Sequence, residues 1–337
     1  MVLSRLSLAL MLAGRVLLAA EPCARCHRAE YDKQTLSRHA HALRPIGQSP
    51  LFALFDRPAN PEGVDAAISY RASESQVLVT ARRNTETLSG TIAWAFGAGA
   101  QGITPVGMIG PRYFEHRYSF FPRADRFALT FGHPVKVSTV GGDMGVLQDS
   151  RTIAHCFSCH ATNARAGATG PDLSNMIPGV TCERCHGPGR AHVEAVMSGD
   201  IQAVRKTLPL AVRLAPKAEV RVCGECHRLP APGSSSPEPE IEDPVSVRFA
   251  PIGLMASRCF AESGKLACGT CHDPHADARP RSDRFYTGRC LTCHGKAPAK
   301  TSACRRARGE DCLSCHMRQV PLTAYLKFTD HRIRIYR

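Results

Sequence analysis

The stretch GVTCERCHGPGRAH, residues 179–192, places two cysteines three positions apart and a histidine directly after the second. His192 follows six positions after His186, with Gly187 and Gly189 between them. Because glycine lets the backbone turn sharply, we expect a turn here and a helix that begins near Pro188, with His192 in its first turn. Two thiols and two imidazoles so close together require a chemical explanation.

The pattern Cys-x-x-Cys-His recurs along the chain, and its seven copies use 14 of the 16 cysteines. Such a motif attaches haem c, because the two thiols form thioethers with the haem and the adjacent histidine binds the iron as proximal ligand. The attaching cysteines are Cys23, Cys26, Cys156, Cys159, Cys182, Cys185, Cys223, Cys226, Cys268, Cys271, Cys290, Cys293, Cys312 and Cys315. The proximal histidines are His27, His160, His186, His227, His272, His294 and His316. Zinc also binds such cysteine pairs, but seven pairs cannot all combine into four-ligand sites, and zinc would not explain a histidine in every copy. The sequence therefore predicts seven covalently attached haem c groups.

Eight histidines lie outside the motifs and are candidates for the sixth, distal ligand of the irons, since imidazole commonly fills that position. We predict distal ligands at His39, His41, His192, His275 and His331, with one of the first two binding. Further candidates are His116, His133 and His155. Of these, His155 adjoins Cys156 and cannot reach the distal face of the haem on that motif. Asp330, beside His331, is a candidate to orient that imidazole.

Residues 1–20 have the features of a secretory signal: a basic start, MVLSR, an apolar run, and LLAA before Glu21. A buried N-terminal helix is the alternative, but the first haem motif begins only three residues after the predicted cleavage point. Export to an oxidising periplasm agrees with haem c attachment. It also favours a disulfide between the two remaining cysteines, Cys259 and Cys304; two unrelated buried thiols are the alternative.

We predict one multihaem cytochrome c domain over residues 21–337, mainly α and irregular and threaded by haems. Residues 28–155 include a β-rich insert between the first and second motifs, because the segments SQVLVTARR, GTIAWAFGAG, PRYFEHRYSFF and DRFALTF are typical of short strands. Residues 156–337 form the haem-dense region. With about 45 residues per haem we expect haem faces to supply much of the buried apolar surface.

The formal net charge is +14. Each ferric haem adds a charge of about −1 through its propionates, so seven haems leave only a modest positive charge. The excess of basic residues therefore indicates arginine side chains paired with haem propionates and acidic partner proteins. It does not indicate nucleic-acid binding. After signal cleavage we expect no transmembrane segment, because residues 87–111, although uncharged, contain six glycines and Pro105.

Several segments together resemble the cytochrome c554/c-prime family of multihaem cytochromes, related to hydroxylamine oxidoreductases and pentahaem nitrite reductases. They are CARCHRAEYDKQTLSRHAHAL, GAGAQG, CFSCHATNA, GVTCERCHGPGRAHV, SRCFAESGKLACGTCHDPH, DCLSCHM and DHRI. The resemblance implies that His192 and His275 are distal ligands. The chain departs from these relatives in two ways. The cytochrome that gives the family its name carries four haems, whereas this chain has seven motifs, and the Cys-x-x-Cys-Lys motif of the nitrite reductases is absent from the sequence.

The first functional hypothesis is a periplasmic seven-haem electron carrier that moves single electrons between redox partner proteins, with a membrane quinol-linked protein as a candidate donor. The second is an oxidoreductase in which one haem keeps an open position and acts on a small nitrogen or sulfur compound. Nothing in the sequence marks a catalytic residue, a substrate or an oligomeric state. The motifs and the spare histidines favour the carrier.

Overall fold

The computed structural model describes residues 22–56, 61–65, 67–207, 214–230, 243–277, 282–295 and 311–336. The chain divides into two compact units, Met1–Pro209 and Leu210–Arg337. The predicted signal segment and Cys304 lie outside the described residues. Signal cleavage and the Cys259–Cys304 disulfide therefore stay predictions. The single domain over residues 21–337 also stays a prediction.

The first unit contains a large antiparallel sheet and a separate hairpin. Their strands are β1 (Leu43–Pro45), β2 (Ile68–Ser73), β3 (Gln76–Arg83), β4 (Glu86–Phe96), β5 (Thr104–Ile109), β6 (Arg112–His116), β7 (Tyr118–Phe121), β8 (Arg126–Leu129) and β9 (Gly145–Leu147). Seven of them form the sheet in the order β2-β3-β4-β5-β6-β9, with β1 paired to β4, and the hairpin joins β7 to β8. All four segments predicted as strands contribute to this set.

The described residues of the first unit also form helices, a 3-10 turn at Ile46–Gln48 and very short strands. The helices are α1 (Arg28–Thr35), α2 (Phe52–Phe55), α3 (Val140–Met144), α4 (Ser150–His160), α5 (Cys182–His186), α6 (Arg190–Ser198) and α7 (Ile201–Lys206), and residues 22–26 are also helical. The short strands are β10 (Ala161–Thr162), β11 (Arg165–Ala166), β12 (Pro171–Asp172) and β13 (Ile177–Pro178).

One face of the large sheet forms an apolar core of its own. In β3 the side chains of Val77, Val79 and Ala81 are fully buried and alternate with more exposed neighbours, as the two-residue period of a strand requires. They pack in one cluster with Ile92 of β4 and Phe114 of β6. This segment contains no haem motif, and its apolar side chains bury one another.

A second apolar cluster attaches helix α4, which carries the second haem motif, to strands β1 and β4. Asp149 caps the helix by accepting the backbone N–H groups of Arg151 and Thr152 at 2.9 and 2.8 Å. Ile153 and Phe157, four positions apart and so on one helix face, pack in a cluster that contains Phe96 of β4. The sheet thereby fixes the position of this motif.

The second unit is built from short helices around a small apolar cluster of Val220, Leu254 and Phe260. Its helices are α8 (Pro216–His227), α9 (Ala250–Met255), α10 (Arg258–Ser263), α11 (Asp283–His294) and α12 (Leu313–His316), with 3-10 turns at Pro244–Arg248 and Cys268–Thr270. A two-stranded ribbon pairs β14 (Gln319–Pro321) with β15 (Lys327–Thr329). In the described parts of the chain, every helix is too short or too polar to span a lipid bilayer.

The prediction of a mainly α and irregular fold is wrong. Of the residues that the structure describes, about 38% are helical and 24% are in strands, and the large sheet is antiparallel. The strands of the large sheet lie between the first and second haem motifs, where we expected a β-rich insert, but the sheet is the largest single element rather than an appendage. The cause is the long motif-free segment, which is able to build a conventional two-residue-period sheet.

Candidate functional site

The haem motifs share one local structure: five of the seven motif histidines are the last residue of a helix. These histidines are His160, His186, His227, His294 and His316. Residues three apart on a helix lie on one face, so both thiols of a motif are presented together. The motif at Cys268 uses a 3-10 turn instead, which brings the same i and i+3 positions together. The donor set and its local geometry therefore fit covalent haem at these six motifs.

Two proximal histidines are oriented by backbone carbonyl groups. Nδ1 of His160 lies 3.0 Å from the carbonyl oxygen of Ala42, and Nδ1 of His316 lies 3.0 Å from that of Arg334. A carbonyl accepts only from a protonated nitrogen, so these contacts fix the proton on Nδ1 and leave Nε2 to bind iron. Neither contact could be predicted from the sequence, because Ala42 lies 118 residues from His160 and Arg334 lies 18 residues from His316.

Thiols of different motifs meet in pairs within each unit. The Cys23 thiol hydrogen bonds the sulfur of Cys182, which lowers the pKa of the Cys182 thiol to about 7 before haem attachment. In the second unit, a hydrogen bond from Cys223 likewise lowers the pKa of Cys268. Burial and then the neighbouring Cys312 raise the pKa of Cys290 to about 11. Each pair joins the first cysteines of two motifs, so three pairs of haem-attachment sites are adjacent.

Glu219 accompanies one of these thiol pairs. One of its carboxylate oxygens and the sulfur atoms of Cys223 and Cys268 lie within 4.8 Å of one another. The carboxylate also accepts the backbone N–H of Gly269. Since both sulfurs belong to haem motifs, the cluster joins two attachment sites and is not a separate metal site. Glu219 lies one helical turn before Cys223, and this spacing is the sequence signal that predicts the contact.

The loop that carries His39 and His41 packs against the backbone just before the third motif. The N–H of Val180 donates to the carbonyl oxygen of His39 at 2.8 Å. Gly179 has φ +82°, and a Cβ there would lie 2.0 Å from the carbonyl oxygen of Ala40, so only glycine permits this approach. The structure thus brings the loop of the first two predicted distal ligands beside the third motif, although His41 and Cys182 are 141 positions apart in the sequence.

His192 lies in the first turn of α6, as predicted. Its Nδ1 is 3.3 Å from the hydroxyl oxygen of Thr207. The turn before the helix is closed by the N–H of Gly189, which donates to Glu183 Oε1 at 3.0 Å. The histidine is therefore held at a defined place next to the third motif, and its role as ligand stays a prediction.

In the second unit, His275 and His331 have different surroundings. Nδ1 of His275 lies 3.5 Å from Asp273 Oδ1 in its own turn. Nδ1 of His331 donates to the carbonyl oxygen of Thr329 at 3.0 Å. Asp330, predicted to orient His331, instead accepts the hydroxyl of Tyr336 at 2.6 Å. The carbonyl group, not the carboxylate, fixes the His331 ring.

His116 is fully buried in the sheet, and both of its ring nitrogens are hydrogen bonded. Nδ1 lies 2.8 Å from the carbonyl oxygen of Met144, and Nε2 lies 2.7 Å from the hydroxyl oxygen of Tyr70. Burial lowers the pKa of His116 to about 4. Iron binding at Nε2 would require the Tyr70 contact to break, so this environment does not support a distal ligand and is that of a neutral core histidine.

His133 and His155, the other two further candidates, lie near the second motif. Nε2 of His133 is 3.1 Å from Glu115 Oε2, while its Nδ1 is buried without a hydrogen-bond partner among the described residues. Burial and, as the second cause, the charge of Glu115 raise the pKa of the Cys156 thiol to about 11. Glu115 and its partner His133 therefore lie close to the second motif. His155 is exposed on α4. Ligand roles for both stay predictions.

The comparisons with known proteins agree with the motifs. The family model for cytochrome c554 and c-prime matches residues 135–187, which contain the second and third motifs. The crystal structure of the outer cell wall cytochrome OcwA matches with a TM-score of 0.53 and 15% sequence identity, over 93% of this chain and 78% of that chain. No curated protein sequence matches the chain.

The motifs, the partial family match and the shared fold define a multihaem c-type cytochrome with covalently bound haem c, a class of electron-transfer proteins. Within that class, the chain resembles the cytochrome c554 and c-prime family.

Proposed function

We propose that this chain is a periplasmic cytochrome that carries seven haem c groups and passes single electrons between redox partner proteins. The observation that carries the proposal is the pairing of motifs through their first cysteines, at Cys23 and Cys182, Cys223 and Cys268, and Cys290 and Cys312. Adjacent attachment sites bring haem edges together, which rapid electron exchange requires. A series of adjacent haems suits the passage of electrons between two partner proteins.

The residues of the chain have three roles in this function. The cysteines hold the haems, the motif histidines bind the irons, and carbonyl groups such as that of Ala42 orient the proximal rings. A hydrogen bond from Nδ1 to a carbonyl makes the imidazole a stronger donor, which favours ferric iron and lowers the reduction potential. When bound, haem supplies reversible one-electron exchange at iron.

The first experiment counts haems and tests for an open iron. Pyridine haemochrome and intact mass are expected to give seven haems for the purified protein, and six for a Cys290→Ala/Cys293→Ala control. The low-temperature EPR spectrum of the ferric protein is expected to contain only low-spin haem, unchanged by nitrite or hydroxylamine. A high-spin signal that shifts with either compound would replace the carrier with the open-site oxidoreductase, and fewer than seven haems would contradict the count.

Localisation and donor are tested separately. We expect the mature protein in a periplasmic fraction to begin at Glu21, by mass spectrometry of its N-terminal peptide. If a membrane quinol-linked protein is the donor, membranes supplied with a quinol will reduce the purified cytochrome, and membranes depleted of quinone will not. Reduction that does not depend on quinol would exclude this donor.

A further inference from the structure

His331 and His272 face each other in the second unit. Their ring centroids are 6.4 Å apart and their ring planes are inclined by 45°. His272 is the proximal histidine of the motif that begins at Cys268, while His331 follows strand β15, 59 positions later. Two imidazoles that bind one metal from opposite sides, with metal–nitrogen bonds of about 2 Å, have ring centroids about 6 Å apart. The observed separation therefore suits two imidazoles that bind one metal from opposite sides.

The ring nitrogens of both residues are compatible with a shared iron. Nδ1 of His331 donates to the carbonyl oxygen of Thr329 at 3.0 Å, which leaves Nε2 as the ligand atom. Nδ1 of His272 is buried and has no hydrogen-bond partner among the described residues. Because a motif histidine binds iron through Nε2, this Nδ1 is not the ligand atom and does not compete for the iron.

The segment that carries His331 is fixed to the body of the second unit. The hydroxyl of Ser257 donates to the carbonyl oxygen of His331 at 3.2 Å and accepts the N–H of Ile333 at 2.8 Å. Gly253 lets the two backbones approach, because a Cβ there would lie 2.7 Å from the nitrogen of Arg332. An imidazole held by its own backbone in this way is preorganised for a ligand bond.

We propose that His331 is the distal ligand of the iron whose proximal ligand is His272, so that the haem attached at Cys268 and Cys271 is held by two histidines. The inference rests on the proposed function in one respect, namely that this motif carries haem c. The neighbouring aromatic side chain in contact with His272 is Tyr286, with ring centroids 6.0 Å apart. Tyr286 is therefore the competing ligand, and its removal provides a matched control.

The test is a double-mutant cycle on the ferric holoprotein, read by EPR and the visible spectrum. His331→Ala and His272→Ala are each expected to add one high-spin haem relative to the parent protein. The double variant is expected to add one as well, because both residues bind the same iron. Two added high-spin haems in the double variant would assign His331 to another iron, and a His331→Ala protein that stays low-spin with its full haem count would exclude it as a ligand.

Three controls separate ligand loss from general damage. Imidazole added to His331→Ala is expected to restore the low-spin spectrum, which a misfolded site would not do. Ser257→Ala loosens the same segment but keeps the imidazole, and is expected to remain low-spin. The Tyr286→Phe protein is also expected to remain low-spin. A high-spin haem in Tyr286→Phe, with none added in His331→Ala, would show that Tyr286 and not His331 binds the iron opposite His272. Failure of the carrier function would show instead in the parent protein, as a missing haem or a haem that responds to nitrite.

Discussion

The imidazole of His160 donates a hydrogen bond from Nδ1 to the carbonyl oxygen of Ala42, 118 residues earlier in the chain, at 3.0 Å. The same carbonyl accepts the backbone N–H of Gly97, at the end of strand β4, at 2.8 Å. The proximal histidine of the second motif is thus oriented by a backbone group that the sheet holds in place. Disturbing the sheet at this end should therefore change the haem site as well as the stability.

Gly97→Ala is expected to lower stability by about 1–3 kcal/mol and to alter the spectrum of the haem on the second motif. Gly97 has φ +99°, and a Cβ would lie 2.5 Å from the carbonyl oxygen of Gly102. Gly110→Ala is the control, because Gly110 also has positive φ (+57°) but nothing lies within 4 Å of its Cβ. Thermal unfolding and visible spectra compare the two variants, and equal effects would contradict the role of the clash.

Phe157, between the two cysteines of the second motif, is fully buried and packs edge-on against Trp94 at a centroid distance of 5.6 Å. Phe157→Ala is expected to cost about 3–5 kcal/mol, seen as a lower melting temperature. Trp94 is the single tryptophan of the chain, so its fluorescence reports whether α4 has moved away from the sheet. Ser158→Ala changes the other residue between the same cysteines and should leave both readouts nearly unchanged; a similar loss there would contradict the packing argument.

The sequence predicted the motif chemistry and the strands well because both depend on local patterns. Fixed spacing identifies the haem cysteines, and alternation identifies β3 in SQVLVTARR. It did not predict the size of the sheet, since a run of short strands does not reveal that seven of them pair in one sheet. Nor did it predict that Ala42 orients His160 or that His331 faces His272, because such contacts depend on how distant segments pack.

Tyr336→Phe is expected to loosen the C-terminal segment by about 1 kcal/mol. The Tyr336 hydroxyl donates to Asp330 Oδ2 at 2.6 Å, and the neighbouring Arg334 presents the carbonyl that orients His316. The variant should therefore exchange the amide hydrogens of this segment faster and shift the reduction potential of the haem on the last motif. Tyr286→Phe, in the same unit, is the control, and faster exchange in both variants would argue against a specific contact.

His116 provides a pH-dependent contribution to stability. Burial is the main cause that lowers its pKa from 6.5 to about 4, and the charges of His133 and Arg117 act in the same direction. The Met144 carbonyl opposes them by accepting from Nδ1. The unfolded chain therefore binds a proton more readily than the folded chain between about pH 4 and pH 6.5, so stability falls as the pH falls through this range.

His116→Gln removes this titration and is expected to lower stability at pH 7, because the glutamine cannot reproduce both contacts of the ring in the buried site. The stability advantage of the parent protein should then shrink by about 3 kcal/mol between pH 7 and pH 4, since a pKa difference of that size has this free-energy equivalent. Melting temperatures of the two proteins across this range measure the difference. A constant gap would mean that the folded protein accepts the proton on His116 without penalty, and that the contact with the Tyr70 hydroxyl does not depend on a neutral ring.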